Sequence, residues 1–402
     1  MIVVTNWTSR DCLALRKAMG AAVSQSMFAI RLGVNVRTIK RWEGGGKIGP
    51  AGLADLNTAL ANLSPPEVEA FRQYRTGATD LAAGTSELPP VDDERLARAG
   101  RADAAAINVV RSTLYAAMEL DDKLGSPAAI GLVTAQQALT KAMLRDCAPE
   151  LRPNLLSLYA EWHGLAGSLA ADDGDQATAL QRYEEGRELA HDAEDDDLAA
   201  YLLCHMSQLA VWQDRRRIAM DHAVAARSWV TDTQDRRLRA YVGIRLADAA
   251  ARNGQRHAAM AALDEAEHAL DGLGPCCHPS ESRAYFVGPG LIESYRGLVL
   301  TKLGDAIPAA VASRRAVAQI EPTFVRDRAV TLLELAEPLE LLGDIDEAAA
   351  VIGEAAELTD QNRSPRLANS IVTARHRLSP WAGTKAVREL DEQLDERDMV
   401  NR

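Results

Sequence analysis

The sequence predicts an all-α protein: a small basic helical bundle followed by a long acidic array of helical hairpins. Three observations carry that prediction. First, the 402 residues include about 70 alanines but only 18 Phe, Tyr and Trp. Ala and Leu on this scale favour close helix–helix packing, whereas sheets draw on aromatic and β-branched residues. Second, charge is divided along the chain. The total is −12, yet residues 1–50 carry +6 and the remainder −18. Third, turn residues and small residues recur together about every 40 positions from residue 155 onward.

Composition also excludes several classes. Hydrophobic residues make up 47% and charged residues 25%, enough to bury a sizeable core. The cysteines (Cys12, Cys147, Cys204, Cys276 and Cys277) are odd in number and lack CxxC spacing. They argue against a disulfide framework and for a reducing cytoplasm, which is the expected location. Neither a signal peptide nor a membrane-spanning helix is expected. The segment 77–93, GATDLAAGTSELPPVDD, mixes turn residues and acids with little periodicity. The predicted division is a head at 1–75, a linker at 76–98 and a body at 99–402.

Short helical patterns occupy the head. Thr8 or Ser9 caps a helix through Leu13, Leu15 and Met19, which Gly20 ends. Ser24 caps a second helix with Phe28 and Leu32 on one face, and Gly33 supplies a left-handed turn. Asn35 caps a third, VRTIKRWE, whose apolar pair is Ile39 and Trp42. Its opposite face carries Arg37, Lys40 and Arg41. LADLNTALANL supplies a later helix. Two short helices around a glycine turn, the second with cations outward, form the helix-turn-helix arrangement.

Over residues 8–65 the sequence resembles the Cro/C1-type (XRE) helix-turn-helix family. The match runs from Ser24 and Gln25 through Phe28, Ala29, Leu32, Gly33, Val34, Arg37, Thr38 and Ile39 to Trp42, Glu43, Gly44 and Gly45. The resemblance implies that the helix from Val36 enters the major groove of double-stranded DNA. Gln25 would then touch a phosphate or brace a recognition residue. Arg37 is the first choice for a base edge, because its fork can bond O6 and N7 of guanine together, and Thr38 beside it is a further DNA-binding residue. Lys40 and Arg41 reach bases or phosphates, and Lys47 the backbone. Ile39 and Trp42 are core, and Glu43 pairs with Arg10 or Arg16.

The body's turn markers are Gly174, Asp214, Gly254, Gly304 and Gly343, spaced by 40, 40, 50 and 39 residues. Seven residues before each stand Gly167, Ser207, Ala247, Gly297 and Ala336. Five after stand Ala179, Ala219, Ala259, Ala309 and Ala348, and twelve after stand Gly186, Ala226, Ala266, Ala316 and Ala355. All are Gly, Ala or Ser, as expected where paired helices cross closely. This register resembles the tetratricopeptide repeat in lengthened, degenerate form. It implies a right-handed α-solenoid of tetratricopeptide-like hairpins, serving as sensor and dimerisation domain. Residues 101–148 read as an atypical first repeat, and 364–396 as a closing helix pair. The 50-residue spacing marks an insertion at 271–290, read as a loop with incidental thiols. Adjacent Cys276 and Cys277 beside His278 make a poor metal site.

In such arrays the first helix of each hairpin lines the concave face. Applied here, the register selects Tyr201, His205, Gln208 and Trp212 from the second unit. It adds Tyr241, Arg245 and Asp248 from the third, Tyr295 from the fourth and Glu334 from the fifth. A groove with these residues suits a peptide or small amphipathic ligand. The alternative reading is that Tyr201, Trp212 and Tyr241 pack between repeats.

No P-loop, GxSxG, HExxH or strand-borne GxGxxG occurs, so neither enzyme chemistry nor a cofactor or metal is expected. The acid runs at 172–175 and 194–197 read as turn and cap residues. Head and body together resemble bacterial regulators, notably those of actinobacteria. The resemblance implies a homodimeric, sequence-specific transcription regulator whose repeats sense a peptide or small-molecule effector. Two further readings stand beside it: a repeat groove that recruits a partner protein with no small effector, and repeats that only dimerise.

Overall fold

A computed structural model describes residues 7–19, 23, 25–64, 67, 68, 70, 71, 74, 103–276, 278–397 and 399. The expected linker at 76–98, the stop at Gly20, the cap at Ser24 and the thiol of Cys277 lie outside the described residues. The chain divides into two compact units, residues 1–90 and 91–402. Among the described residues every regular element is helical.

In the first unit α1 (Ser9–Ala18), α2 (Gln25–Leu32), α3 (Val36–Glu43) and α4 (Pro50–Ala61) surround one apolar core. Thr8 starts α1 with a capping box. Its hydroxyl accepts from the Asp11 amide at 3.2 Å, and the Asp11 carboxylate accepts the Thr8 amide at 2.9 Å. Gly33 ends α2 with φ +68°, and the Val34 amide returns to the Ala29 carbonyl at 3.0 Å. That left-handed residue turns the chain sharply enough for Asn35 to cap α3. Phe28, Ile39 and Leu56 are fully buried, with Trp42 almost so. A Cβ on Gly52 would stand 2.3 Å from the Trp42 ring, so α4 approaches the end of α3 only at a glycine.

The second unit is built from consecutive antiparallel pairs: α5 (Ala104–Leu124) with α6 (Ser126–Arg145), α7 (Arg152–Asp172) with α8 (Gln176–Asp192), and α9 (Asp196–Trp212) with α10 (Arg216–Trp229). There follow α11 (Arg236–Arg252) with α12 (Arg256–Leu270), α13 (Pro289–Lys302) with α14 (Ala306–Gln319), and α15 (Val325–Leu342) with α16 (Ile345–Leu358). Helices α17 (Pro365–Arg377) and α18 (Lys385–Asp395) complete the unit.

The five turn markers share one backbone geometry. Gly174, Gly254, Gly304 and Gly343 have φ of +85°, +72°, +86° and +81°, and Asp214 adopts +54° in the same role. In each turn the next amide bonds the carbonyl five residues before it, at 2.8–2.9 Å. Asp175 and Asp195, from the two acid runs, cap the helices that follow them. The small residues flanking the markers are all buried. Ser207 shows why they must be small: its hydroxyl reaches the Ala219 carbonyl at 2.8 Å, directly across the hairpin. A Cβ on Gly243 would meet Ala266 Cβ at 2.9 Å and the Ala262 carbonyl at 3.0 Å.

The array's two ends meet. Arg326, at the start of α15, makes a two-pronged bond to Asp121 near the end of α5, at 2.8 and 3.1 Å. The Asn362 amide donates to the carbonyls of Asp121 and Asp122, and the Arg363 amide to that of Leu124. Gly125 lets the backbones touch there, since its Cβ would lie 2.9 Å from Arg363.

Gly243→Val is expected to destabilise the second unit by roughly 2–3 kcal/mol, because both neighbours are backbone or Cβ atoms that cannot swing aside. Ala261→Val, on the exposed face of the facing helix, should stay within about 0.5 kcal/mol of the parent. Urea denaturation of both variants checks the pair.

Candidate functional site

Two sets of residues hold the groups that could recognise something. In the first unit, Arg37, Lys40 and Arg41 are exposed on one face of α3, with spacing i, i+3, i+4. Lys47 is exposed beyond the helix, and Thr38 is half-buried. The opposite face is anchored through Glu43. Arg16 grips it with Nε at 2.7 Å and a second nitrogen at 3.1 Å, and also donates to the Val23 carbonyl at 2.9 Å. Gln25 Nε2 donates to the same carboxylate at 2.6 Å. Gln25 thus braces Glu43 of α3 with one amide hydrogen. Of the two arginines considered for Glu43, it is Arg16 that pairs. A bidentate arginine and an amide on one half-buried carboxylate tie α1, α2 and α3 together.

In the second unit, the first helices of successive pairs enclose a cavity of about 180 Å³. Helix α9 contributes Tyr201, His205, Gln208 and Trp212, α11 Tyr241 and Arg245, and α13 Tyr295. The register thus brought those seven residues to one place. Most are far less accessible than an open groove implies. Tyr241 is 3% exposed and Arg245 2%, while Trp212 remains 39% exposed. The ends of the array meet, so the concave face becomes a partly open chamber.

Asp248 and Glu334 do not line it, which corrects their assignment to the groove. Asp248 is 3% exposed and accepts Arg252 Nε at 2.7 Å, one turn along the same helix. Glu334 accepts from the Ser294 hydroxyl at 2.5 Å, across the contact between α13 and α15. Burial pushes its carboxyl up to about 7. Both side chains are held by neighbours inside the helix stack.

Aromatic rings form one wall. His205 stacks on Tyr183 at 5.3 Å between centroids and meets the edge of Tyr201 at 4.6 Å. Burial, with Arg245 adding its charge, drives the His205 pKa down to about 3, so the ring is neutral. Arg245 lies over the faces of Tyr241 and Tyr295, at 5.3 and 4.3 Å. Arg366 covers Trp212 at 4.9 Å. Of the residues expected either to line a groove or to pack between repeats, Tyr201 and Tyr241 do both, whereas Trp212 lines the chamber and stays exposed beneath Arg366.

The remaining wall was missed from sequence. It comes from the array's closure and from the insertion. Asp121 and Asp122 of α5, Asp172 of α7, and Arg326 and Asp327 of α15 all line the cavity. The insertion is a loop, as read, between Leu270 and Pro289, and it also contributes Arg283, Tyr285 and Phe286 to the wall, which its sequence reading did not include. Arg283 bonds Glu161 at 2.9 Å and Asp195 at 2.7 Å, and the Tyr285 hydroxyl donates to Asp122. One signal was available: an Ala-Tyr-Phe-Val run within a Gly- and Pro-rich stretch marks a loop that folds inward. No local signal exposes Arg326, whose partner Asp121 is 205 residues away.

No protein family matches the chain, and no curated protein matches it. Several solved structures are similar, among them the following two. BtubC (BKLC) from P. vanneervenii shares 18% identity over 57% of this chain and 91% of its own, with a TM-score of 0.39. A Rap protein complexed with competence and sporulation factor shares 14% identity over 73% of this chain and 88% of its own, with a TM-score of 0.47. Among the described residues, no helix is long and apolar enough to cross a membrane.

Burial raises the Asp122 carboxyl to about 7, from an ordinary value of 3.8, against the opposing pull of Arg326 and of the Tyr285 hydrogen bond. The folded state therefore favours its protonated form. Asp122's contribution to stability is complete below its ordinary pKa and is lost as pH rises through about 7. Asp122→Asn, which cannot ionise, should gain thermal stability over the parent between about pH 5 and about pH 8. Unfolding midpoints at the two pH values check the sign.

Proposed function

We propose that this protein is a sequence-specific DNA-binding regulator whose helical repeat unit senses a small molecule or peptide. The observation that carries the reading is the presentation of Arg37, Lys40 and Arg41 on one exposed face of a short helix. The far end of that helix is fixed by Glu43 to Arg16 and Gln25. A face held in this way can place guanidinium and ammonium groups against base edges with little loss of side-chain order. Charge supports the same division of labour. The head is +6 within residues 1–50, whereas a body of −18 is repelled from a duplex.

The sensing role rests on the chamber, which combines aromatic walls with convergent polar groups, as small-ligand sites do. Ligand would act by favouring one arrangement of two heads over another, which requires different affinity for the two. One such head buries little surface, so a homodimer reading two half-sites is the expected form.

In vitro selection from a random duplex library, using the full chain, tests this. Enriched sites should be inverted repeats with half-site centres about 34–36 Å apart. Arg37→Ala should cost about 1–3 kcal/mol and relax preference at one base pair per half-site. Lys47→Ala should weaken all sequences alike and lower the salt slope by about one. No enriched sequence, or a motif unchanged when Arg37, Lys40 and Arg41 are all Ala, overturns the reading.

A further inference from the structure

A second cavity adjoins the chamber. It measures about 430 Å³, and its walls include Leu270, Leu273, Pro275, Ile320 and Phe324. Phe286, Leu291 and Asp327 line both cavities, so an aromatic, an aliphatic and one acidic side chain form a shared wall. The second cavity's arginine is already engaged, since Arg237 donates to the Val287 carbonyl at 2.6 Å and to that of Gly274. What this space offers a ligand is mainly apolar contact.

In the first chamber most cations have carboxylate partners. Arg326 is bound by Asp121, and Arg283 by Glu161 and Asp195. Arg366 stands 3.4 Å from Asp172. Arg245 differs. It is 2% exposed and its guanidinium rests against Tyr241 and Tyr295; Tyr295 also hydrogen-bonds it and Asp248 lies near in charge, which leaves Nε as its unpartnered nitrogen. The acids nearest in charge are committed elsewhere, Asp248 to Arg252 and Glu334 to Ser294. His205 Nε2, on the neighbouring helix, is also buried and unpartnered. A permanently charged donor and a neutral imidazole, on two residues that line one chamber and each with an unpartnered nitrogen, suit an oxygen acceptor when His205 carries its proton on Nε2.

We propose that the two cavities are one amphipathic site, whose ligand sets a carboxylate or carbonyl oxygen on Arg245 and His205 and an aliphatic tail beyond Phe286. This specifies the ligand class for the sensing reading above and rests on it. An ammonium head has a different set of partners available, Asp122 and Asp327, and so makes a distinct outcome. Asp122 already accepts from Tyr285.

Isothermal titration of the full chain with octanoate, octanamide and octylamine tests the proposal. Octanoate and octanamide should bind saturably and octylamine should not. Arg245→Gln should weaken octanoate by about tenfold or more. Leu273→Trp, at a position 38% exposed on the apolar cavity, leaves Arg245 intact and should also weaken octanoate with no change in the unfolding midpoint. This second variant decides the matter if Arg245→Gln does not fold. Preference for octylamine, octanoate binding indifferent to both substitutions, or no saturable heat from any probe overturns the proposal. A DNA motif still selected by the same preparation would then show that the ligand class has failed and the DNA-binding reading has not.

Discussion

Closure of the helical array depends on one buried carboxylate. Asp172 ends α7, is 3% exposed, and accepts hydrogen bonds from Ser126 at 2.7 Å and Ser364 at 2.6 Å. Those hydroxyls begin α6 and cap α17, so a single side chain joins elements 46 and 192 residues distant in sequence. Arg366 and Arg326 lie 3.4 and 3.8 Å away and balance its charge. A buried carboxylate without such partners would be strongly destabilising, and this one has both donors and cations. The chamber exists because this junction brings the first hairpin against the last helices. Asp121, Asp122, Asp172, Arg326 and Arg366 are clasp and cavity wall at once.

The repeat geometry leading to that junction is simpler. Each hairpin turns at a residue in the left-handed conformation, and its helices cross where side chains stop at Cβ or before it. Asp214 shows that the turn, rather than glycine as such, is what recurs. It adopts φ +54° and accepts Arg216 Nε at 2.8 Å, in the place where the other repeats use glycine. Asp and Asn tolerate this region better than other side chains. The recurring small residues were legible because helix pairing is local. The two helices of a hairpin are joined by a short turn, so their contacts appear at fixed offsets from it.

The site divides along the same line. Tyr201, His205, Trp212, Tyr241 and Arg245 were found because a first-helix register places them on the concave side. Asp248 and Glu334 satisfy the same register and yet turn into the stack. Arg252 lies one turn from Asp248, and Ser294 of the preceding repeat reaches Glu334. Periodicity reports the direction of a Cα–Cβ bond, and the carboxylate beyond it then follows the nearest donor. In the head, the same limit governed Gln25. Its position at the start of α2 was readable, but its amide goes to Glu43 because Arg16 already holds that carboxylate within reach.

From the sequence alone came the all-α class, the cationic face of α3, the hairpin period and the small residues at each crossing. These depend on propensity, capping, charge and spacing over fewer than about 40 residues, all of which the order of residues carries directly. Only the tertiary structure decided that the array closes on itself, that the insertion turns Arg283, Tyr285 and Phe286 inward, and that Arg245 is left with an unpartnered donor. Those outcomes depend on the small rotation between hairpins summed over the whole array. No local pattern encodes that sum, and it alone sets which residue meets which across two hundred positions.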